Sequence, residues 1–153
     1  MMDIKIEDIK KLRSKTGAGI ADCRRALEKT KGDFKKAEEL LKSWGVDKAA
    51  QKSDRAVGAG LVETYIHAGG RVGALIEINC ETDFVTKTDE FKNLAHEVVM
   101  QVAAMDPKDV EELLRQEYIR DSSKKIDDLV KEVITKVGEN IIVKRFIRFE
   151  LGG

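Results

Sequence analysis

The hydrophobic period of this chain changes at Leu61, and that change restricts the folds open to it. Before it, apolar residues recur every three or four positions. Ile6, Ile9 and Leu12 form one such stripe; Ile20, Cys23, Ala26 and Leu27 form a second; Phe34, Ala37, Leu40, Leu41 and Trp44 form a third. That spacing predicts helices with one apolar face each. Stops at Thr16-Gly-Ala-Gly19, at Lys31-Gly32 and before Gly45 separate them, with Gly32 supplying a left-handed cap and Asp33 a good N-cap for the third. Together the three faces close a bundle of about 40 residues, near the lower limit for independent folding.

From Leu61 the period is two. Leu61–His67 and Val72–Cys80 flank Ala68-Gly-Gly-Arg71, which predicts a β-hairpin. A helix follows from about Thr88 to Ala104, with Phe91, Leu94, Ala95, Val98, Val99, Val102 and Ala103 on its apolar side and Thr86 with Asp89 as a variant capping box. Asp106-Pro107 opens another, carrying Val110, Leu113 and Leu114, which frays near Tyr118–Ser123. A further helix carries Ile126, Leu129, Val130, Val133, Ile134 and Val137 and ends at Gly138. In the closing strand, Ile141–Leu151, Val143, Arg145, Ile147, Phe149 and Leu151 alternate with Ile142, Lys144, Phe146, Arg148 and Glu150, so it is apolar on much of both sides. The expected class is α+β: a three-helix bundle at 1–46, a linker at 47–60 that Gly58-Ala-Gly60 breaks, and a small three-stranded antiparallel sheet packed with helices at 61–153. The helices cover one face of that sheet, and the other face motivates self-association.

Charge narrows the partners. Lys plus Arg and Asp plus Glu both number 28, a balance that argues against a nucleic-acid binder drawn by bulk phosphate attraction. Cys23 and Cys80 have no paired spacing, which excludes a disulfide scaffold and a cysteine-based zinc site. No apolar run is long enough to span a bilayer, and the first residues read as neither signal nor transit peptide. The expectation is a cytoplasmic protein with no membrane or direct nucleic-acid partner and no cofactor.

Candidate chemistry is thin. Cys80, His67 and Glu81 can be written as nucleophile, base and orienter, but a cysteine ending a buried strand usually behaves as a small hydrophobe. Thr16-Gly-Ala-Gly19 lacks the phosphate-loop spacing and follows a helix, so a tight interhelical turn is the better reading, with Ala18 and Ile20 as a small apolar edge for a partner. Glu81 and Asp83 match no calcium loop. Lys48, Lys52 and Arg55 read as a solvated helix face. Asp83-Phe84 is harder to dismiss. An acid and a ring stand side by side on a short turn, and turns lie at the surface. Either Phe84 folds back as a staple under the next helix, or it is a wedge for another protein. Chemistry alone leaves these two level.

Three motifs, spread over nearly the whole chain, resemble one family. Leu12-Arg-Ser-Lys-Thr-Gly-Ala-Gly-Ile-Ala-Asp-Cys-Arg-Arg-Ala-Leu27, Glu77-Ile-Asn-Cys-Glu-Thr-Asp-Phe-Val85, and Gly138-Glu-Asn-Ile141 with Lys144-Arg-Phe146 are similar to the signatures of bacterial translation elongation factor Ts, the nucleotide-exchange factor for the GTPase elongation factor Tu. The resemblance implies a ubiquitin-associated-like fold for the N-terminal bundle and exchange rather than covalent chemistry. It implies that Thr82, Asp83, Phe84 and Val85 enter the GTPase near its Mg²⁺ and help displace the ion. It also implies that the bundle docks on the same partner through Leu12, Arg13, Thr16, Gly17, Ala18, Gly19 and Ile20. Long members carry two core halves and a helical hairpin. This chain has one half, and its connector between Ala104 and Asp121 is cut to about one helix. Short members are homodimers, which the two-sided strand at 141–151 suits; Ile147 occupies the position of a possible intersubunit cysteine, so no disulfide supports the pair. Two other readings remain open to test: a peptide- or ubiquitin-like-binding helical module on a dimerisation platform, and a small hydrolase using Cys80 and His67.

Overall fold

The computed structural model describes residues 3–153; Met1 and Met2, the start of the expected bundle, lie outside the described residues. Helices α1 (Ile6–Thr16), α2 (Ile20–Lys29) and α3 (Phe34–Lys52) come first. Ile9, Leu12, Cys23, Ala26, Leu27, Ala37 and Leu41 are buried together, with Phe34, Leu40 and Trp44 packed against them. Ile6 and Ile20, read as part of the stripes, are exposed because each opens its helix at the rim of this small core. Gly17, at φ 72°, terminates α1, and Asp33 accepts from the Lys36 amide to start α3.

Gly45 does not end α3. The helix continues through it to Lys52, so the first part of the expected linker is helical. The reason is tertiary. A Cβ at Gly45 would stand 3.0 Å from Thr135 Oγ1, so glycine here permits close approach of another helix, at the usual helix-propensity cost of about 1 kcal/mol. Farther along, Ala49 is buried in the second core. One helix thus spans both apolar clusters.

That second core lies under a sheet of β1 (Ala59–Ile66), β2 (Val72–Cys80) and, described below, β5, in the order β1-β2-β5, all antiparallel. Next come α4 (Asp83–Thr86) and α5 (Asp89–Met105). Thr88, rather than Thr86, caps α5, accepting from the Phe91 amide at 3.3 Å, because the chain first makes the extra turn of α4. Asp106 is likewise not the N-cap of the next helix. It closes α5 at φ 46°, and Asp109 caps α6 (Val110–Arg115), accepting from Glu112 at 2.8 Å. The segment expected to fray forms a two-stranded ladder, β3 (Glu117–Tyr118) with β4 (Asp121–Lys125). Fully buried Gln101 organises it: its amide donates to Glu117 O and its carbonyl accepts from the Ile119 amide, each at 3.0 Å. Helix α7 (Ile126–Val137) ends at Gly138, φ 75°, and β5 (Ile141–Glu150) completes the sheet.

A bulge corrects the expected alternation of β5. Ile78 pairs with Val143 but Glu77 with Arg145, leaving Lys144 extra; such an insertion moves later side chains to the other face. Ile141 and Val143, then Phe146, therefore point to the core, while Arg145, Ile147 and Phe149 face outward. Helices cover the inner face. On the outer face Val62, Ile66, Leu75, Ile147, Phe149 and Leu151 are exposed around a Glu77–Arg145 pair at 2.8 Å. The Asn79 amide and the Arg145 guanidinium hold the Glu77 carboxyl below its usual range.

Candidate functional site

Cys80 ends β2 facing the core, and the next residues turn onto α4. Helical spacing then divides the four residues of that turn. Val85 is buried against the second core, whereas Asp83 is exposed and Phe84 is 85% exposed. Phe84 is thus no staple beneath α5, and of the two readings left level by chemistry the structure removes that one. A full turn of helix anchored by one buried valine holds out a phenyl ring beside a carboxylate. Exposure of one ring is not in itself a sign of a partner; its place beside a carboxylate on an anchored corner is what sets it apart.

The polar groups of Thr82 are all engaged. Its amide donates to Glu139 Oε1 at 3.0 Å and its hydroxyl to Glu139 Oε2 at 2.7 Å. Its carbonyl accepts from Cys80 Sγ at 3.3 Å. Burial, then the charge of Glu139, pushes the Cys80 thiol up, so it stays protonated. Glu81 lies 3.7 Å from Arg55. Asn140, almost fully buried, donates to the carbonyls of Ser53 and Arg55 at 3.3 and 3.0 Å. The chain just after α7 therefore grips both the start of the Asp83–Phe84 corner and the end of α3.

At the bundle, Thr16 donates to Leu12 O at 2.8 Å and accepts from the Ala18 amide at 3.3 Å, fixing the turn into α2. Arg13, Gly17, Gly19 and Ile20 are exposed there; Leu12 and Ala18 are buried and support the turn from within, so the expected apolar edge is Ile20 alone. A Cβ on Gly17 would collide with the Lys136 side chain. Both elements singled out from sequence thus lean on one stretch of α7 and its exit: the bundle turn at Lys136, the corner at Glu139.

The hydrolase arrangement is not assembled. Cys80 pairs with Ala59 at one end of the hairpin and His67 lies past Ile66 at the other, roughly 25 Å away along the strands. His67 is exposed and meets the Tyr65 hydroxyl at 3.2 Å. Among the described residues no three His, Cys, Asp or Glu form a group able to hold a metal, and no helix is long and apolar enough to cross a membrane. Of the basic trio, Lys48 pairs with Asp22 and Arg55 with Glu81. Glu139 is the residue whose role sequence reasoning missed. It stands inside the third motif, yet its partner is 57 positions away, and no local pattern signals that pairing.

A family model described as Elongation factor TS matches residues 81–153. The chain is 41% identical over 194 residues to "Elongation factor Ts" of Thermoanaerobacter sp. (strain X514), with 97% of this chain and 95% of that protein covered. It is 41% identical over 194 residues to "Elongation factor Ts" of Thermotoga neapolitana, with 99% and 98% covered. To "Elongation factor Ts" of Nostoc sp. it is 47% identical over 151 residues, covering 99% of this chain but 48% of that longer protein. The first two comparisons extend over about forty more positions than this chain has residues, so those relatives carry segments without a counterpart here.

Proposed function

Because the chain belongs to the elongation factor Ts family of bacterial translation elongation factors, we propose that it is the guanine-nucleotide exchange factor for the GTPase elongation factor Tu. The observation that supports this most is the exposure of Phe84 beside Asp83 on a corner anchored by Val85 and Glu139. A P-loop GTPase holds its nucleotide through phosphate contacts bridged by Mg²⁺. Phe84 enters the partner as an apolar wedge, Thr82 and Val85 seat it, and Asp83 disturbs the ligands of the ion by hydrogen bonding or repulsion. Loss of the ion weakens many charge-assisted contacts together, and GDP leaves. Coupling is reciprocal, so a factor that favours the nucleotide-poor GTPase is itself expelled when nucleotide rebinds.

The N-terminal turn docks on the same partner. Arg13, Gly17, Gly19 and Ile20 supply surface, while Leu12, Thr16 and Ala18 hold that surface in shape. The factor makes no covalent bond to substrate, needs no cofactor of its own and acts in the bacterial cytoplasm. A second copy covers the outer face of the sheet, where Ile66, Ile147 and Phe149 otherwise meet water.

The test is release of a fluorescent GDP analogue from elongation factor Tu. Acceleration that grows with concentration of this chain and saturates is expected. Release at the spontaneous rate throughout, with the chain folded, rejects the proposal in favour of a general binding module.

A further inference from the structure

The exchange reading explains what Phe84 does but not what aims it. Helix α4 has four residues and no side-chain cap at its N-cap, Thr82. Hydrogen bonds within so short a turn leave its direction poorly determined, since helix termini lack internal partners. Val85 gives one buried pivot. Thr88 donates from its amide and its hydroxyl to Val85 O, at 3.0 and 2.7 Å, which secures the end of the turn nearer α5; the end nearer β2 depends on what holds Thr82.

We propose that Glu139 is a positioning residue for exchange: its carboxylate clamps Thr82 and thereby sets the direction in which Asp83 and Phe84 meet the partner. Two carboxylate oxygens each take a donor from the same residue, the amide at 3.0 Å and the hydroxyl at 2.7 Å. Bonds to an ionised acceptor are the stronger kind, and a two-point contact fixes orientation as well as distance. The clamp is itself fixed. Gly138 on one side ends α7 in the left-handed region, and Asn140 on the other is buried and tied to the carbonyls of Ser53 and Arg55. Lys136, three positions earlier, lies against Gly17 of the bundle turn. One segment therefore refers both docking elements to a common base. This inference rests on the exchange reading and adds to it a residue that need not touch the partner.

The experiment uses the full chain and release of the fluorescent GDP analogue from elongation factor Tu. Glu139→Gln keeps the size of the side chain but removes its charge: both contacts become neutral, and the Thr82 hydroxyl must turn from donor to acceptor. Its expected effect is a fall of about tenfold in the saturating exchange rate, little change in the concentration giving half-maximal rate, and a melting midpoint lowered by only a few degrees, with the chain fully folded at the assay temperature. Thr82→Val, which replaces the hydroxyl by a methyl and keeps the amide bond, should lower the saturating rate in the same way and lose that effect in the Phe84→Ala background, and with that double variant it carries the test if Glu139→Gln fails to fold. In a Phe84→Ala background, Glu139→Gln should cost less than about twofold further, because the aim of an absent ring is immaterial. Full multiplication of the two losses, or parental exchange in both Glu139→Gln and Thr82→Val, overturns the inference. If the parent chain leaves GDP release at the spontaneous rate, it is the exchange reading that falls; if Phe84→Ala exchanges at the parental rate, the wedge role of Phe84 falls and the aiming role with it; if Phe84→Ala is slow and the clamp variants are not, only the positioning role falls.

Discussion

Asn140→Ala tests the lock between α3 and the core. The Asn140 amide is nearly fully buried and donates twice, to the carbonyls of Ser53 and Arg55. Each neutral bond contributes about 0.5–1.5 kcal/mol net, and each acceptor left without a partner costs more, partly relieved if water enters. The loss is therefore about 2–4 kcal/mol, which for a chain of this size lowers the melting midpoint by roughly 4–16 °C. Scanning calorimetry with a check of two-state behaviour measures it. The residues that leave α3 should also lose amide protection ahead of global unfolding, since local opening follows the weakest contacts. A midpoint within about 1 °C of the parent would refute the reasoning. It would mean that Ser53 and Arg55 find other donors at no cost, so that the segment after α7 does not brace the end of α3.

Two further outcomes follow from the structure. Tyr118 donates to Glu97 Oε2 at 2.6 Å, and burial followed by that bond pushes its phenol up to about 12. Its folded state thus holds the proton more tightly than the unfolded state, whose phenol titrates near the ordinary value of about 10. The associated stability is complete below that value and is lost as pH rises toward about 12. Tyr118→Phe should flatten the alkaline fall in melting midpoint over this window; an unchanged slope would contradict the assignment. Phe149→Asp, on the open face of the sheet, should leave the subunit folded, convert a dimer at micromolar concentration into a monomer by sedimentation velocity, and abolish the rise of melting midpoint with chain concentration. A parent chain that sediments only as monomer would remove the proposed second copy.

What was legible in the sequence followed from local pattern. The stripes from Ile9 to Leu41, the hairpin flanking Gly69-Gly70 and the run from Ile126 to Gly138 each carry their own period and stop, and the structure places elements there. The misreadings have tertiary causes. Gly45 looks like a terminator until Thr135 of another helix is seen against it. Glu117–Lys125 has no alternating pattern, because buried Gln101, rather than an apolar face, holds that ladder. Strict alternation misplaced Val143 relative to Arg145 because one bulge at Lys144 is silent in hydropathy. The corner at Thr82–Val85 was visible as chemistry, an acid beside a ring on a turn. Its direction was not, because the carboxylate that sets it arrives from a distant part of the chain.

The most direct test of the account is the exchange rate of Phe84→Ala. The ring is 85% exposed, so its removal leaves the fold and its melting midpoint intact. If the partner buries it during exchange, about 1.5–3 kcal/mol is lost from the transition state, slowing GDP release by roughly 10- to 150-fold. A folded Phe84→Ala protein that releases GDP as fast as the parent would contradict the claim that this ring opens the partner.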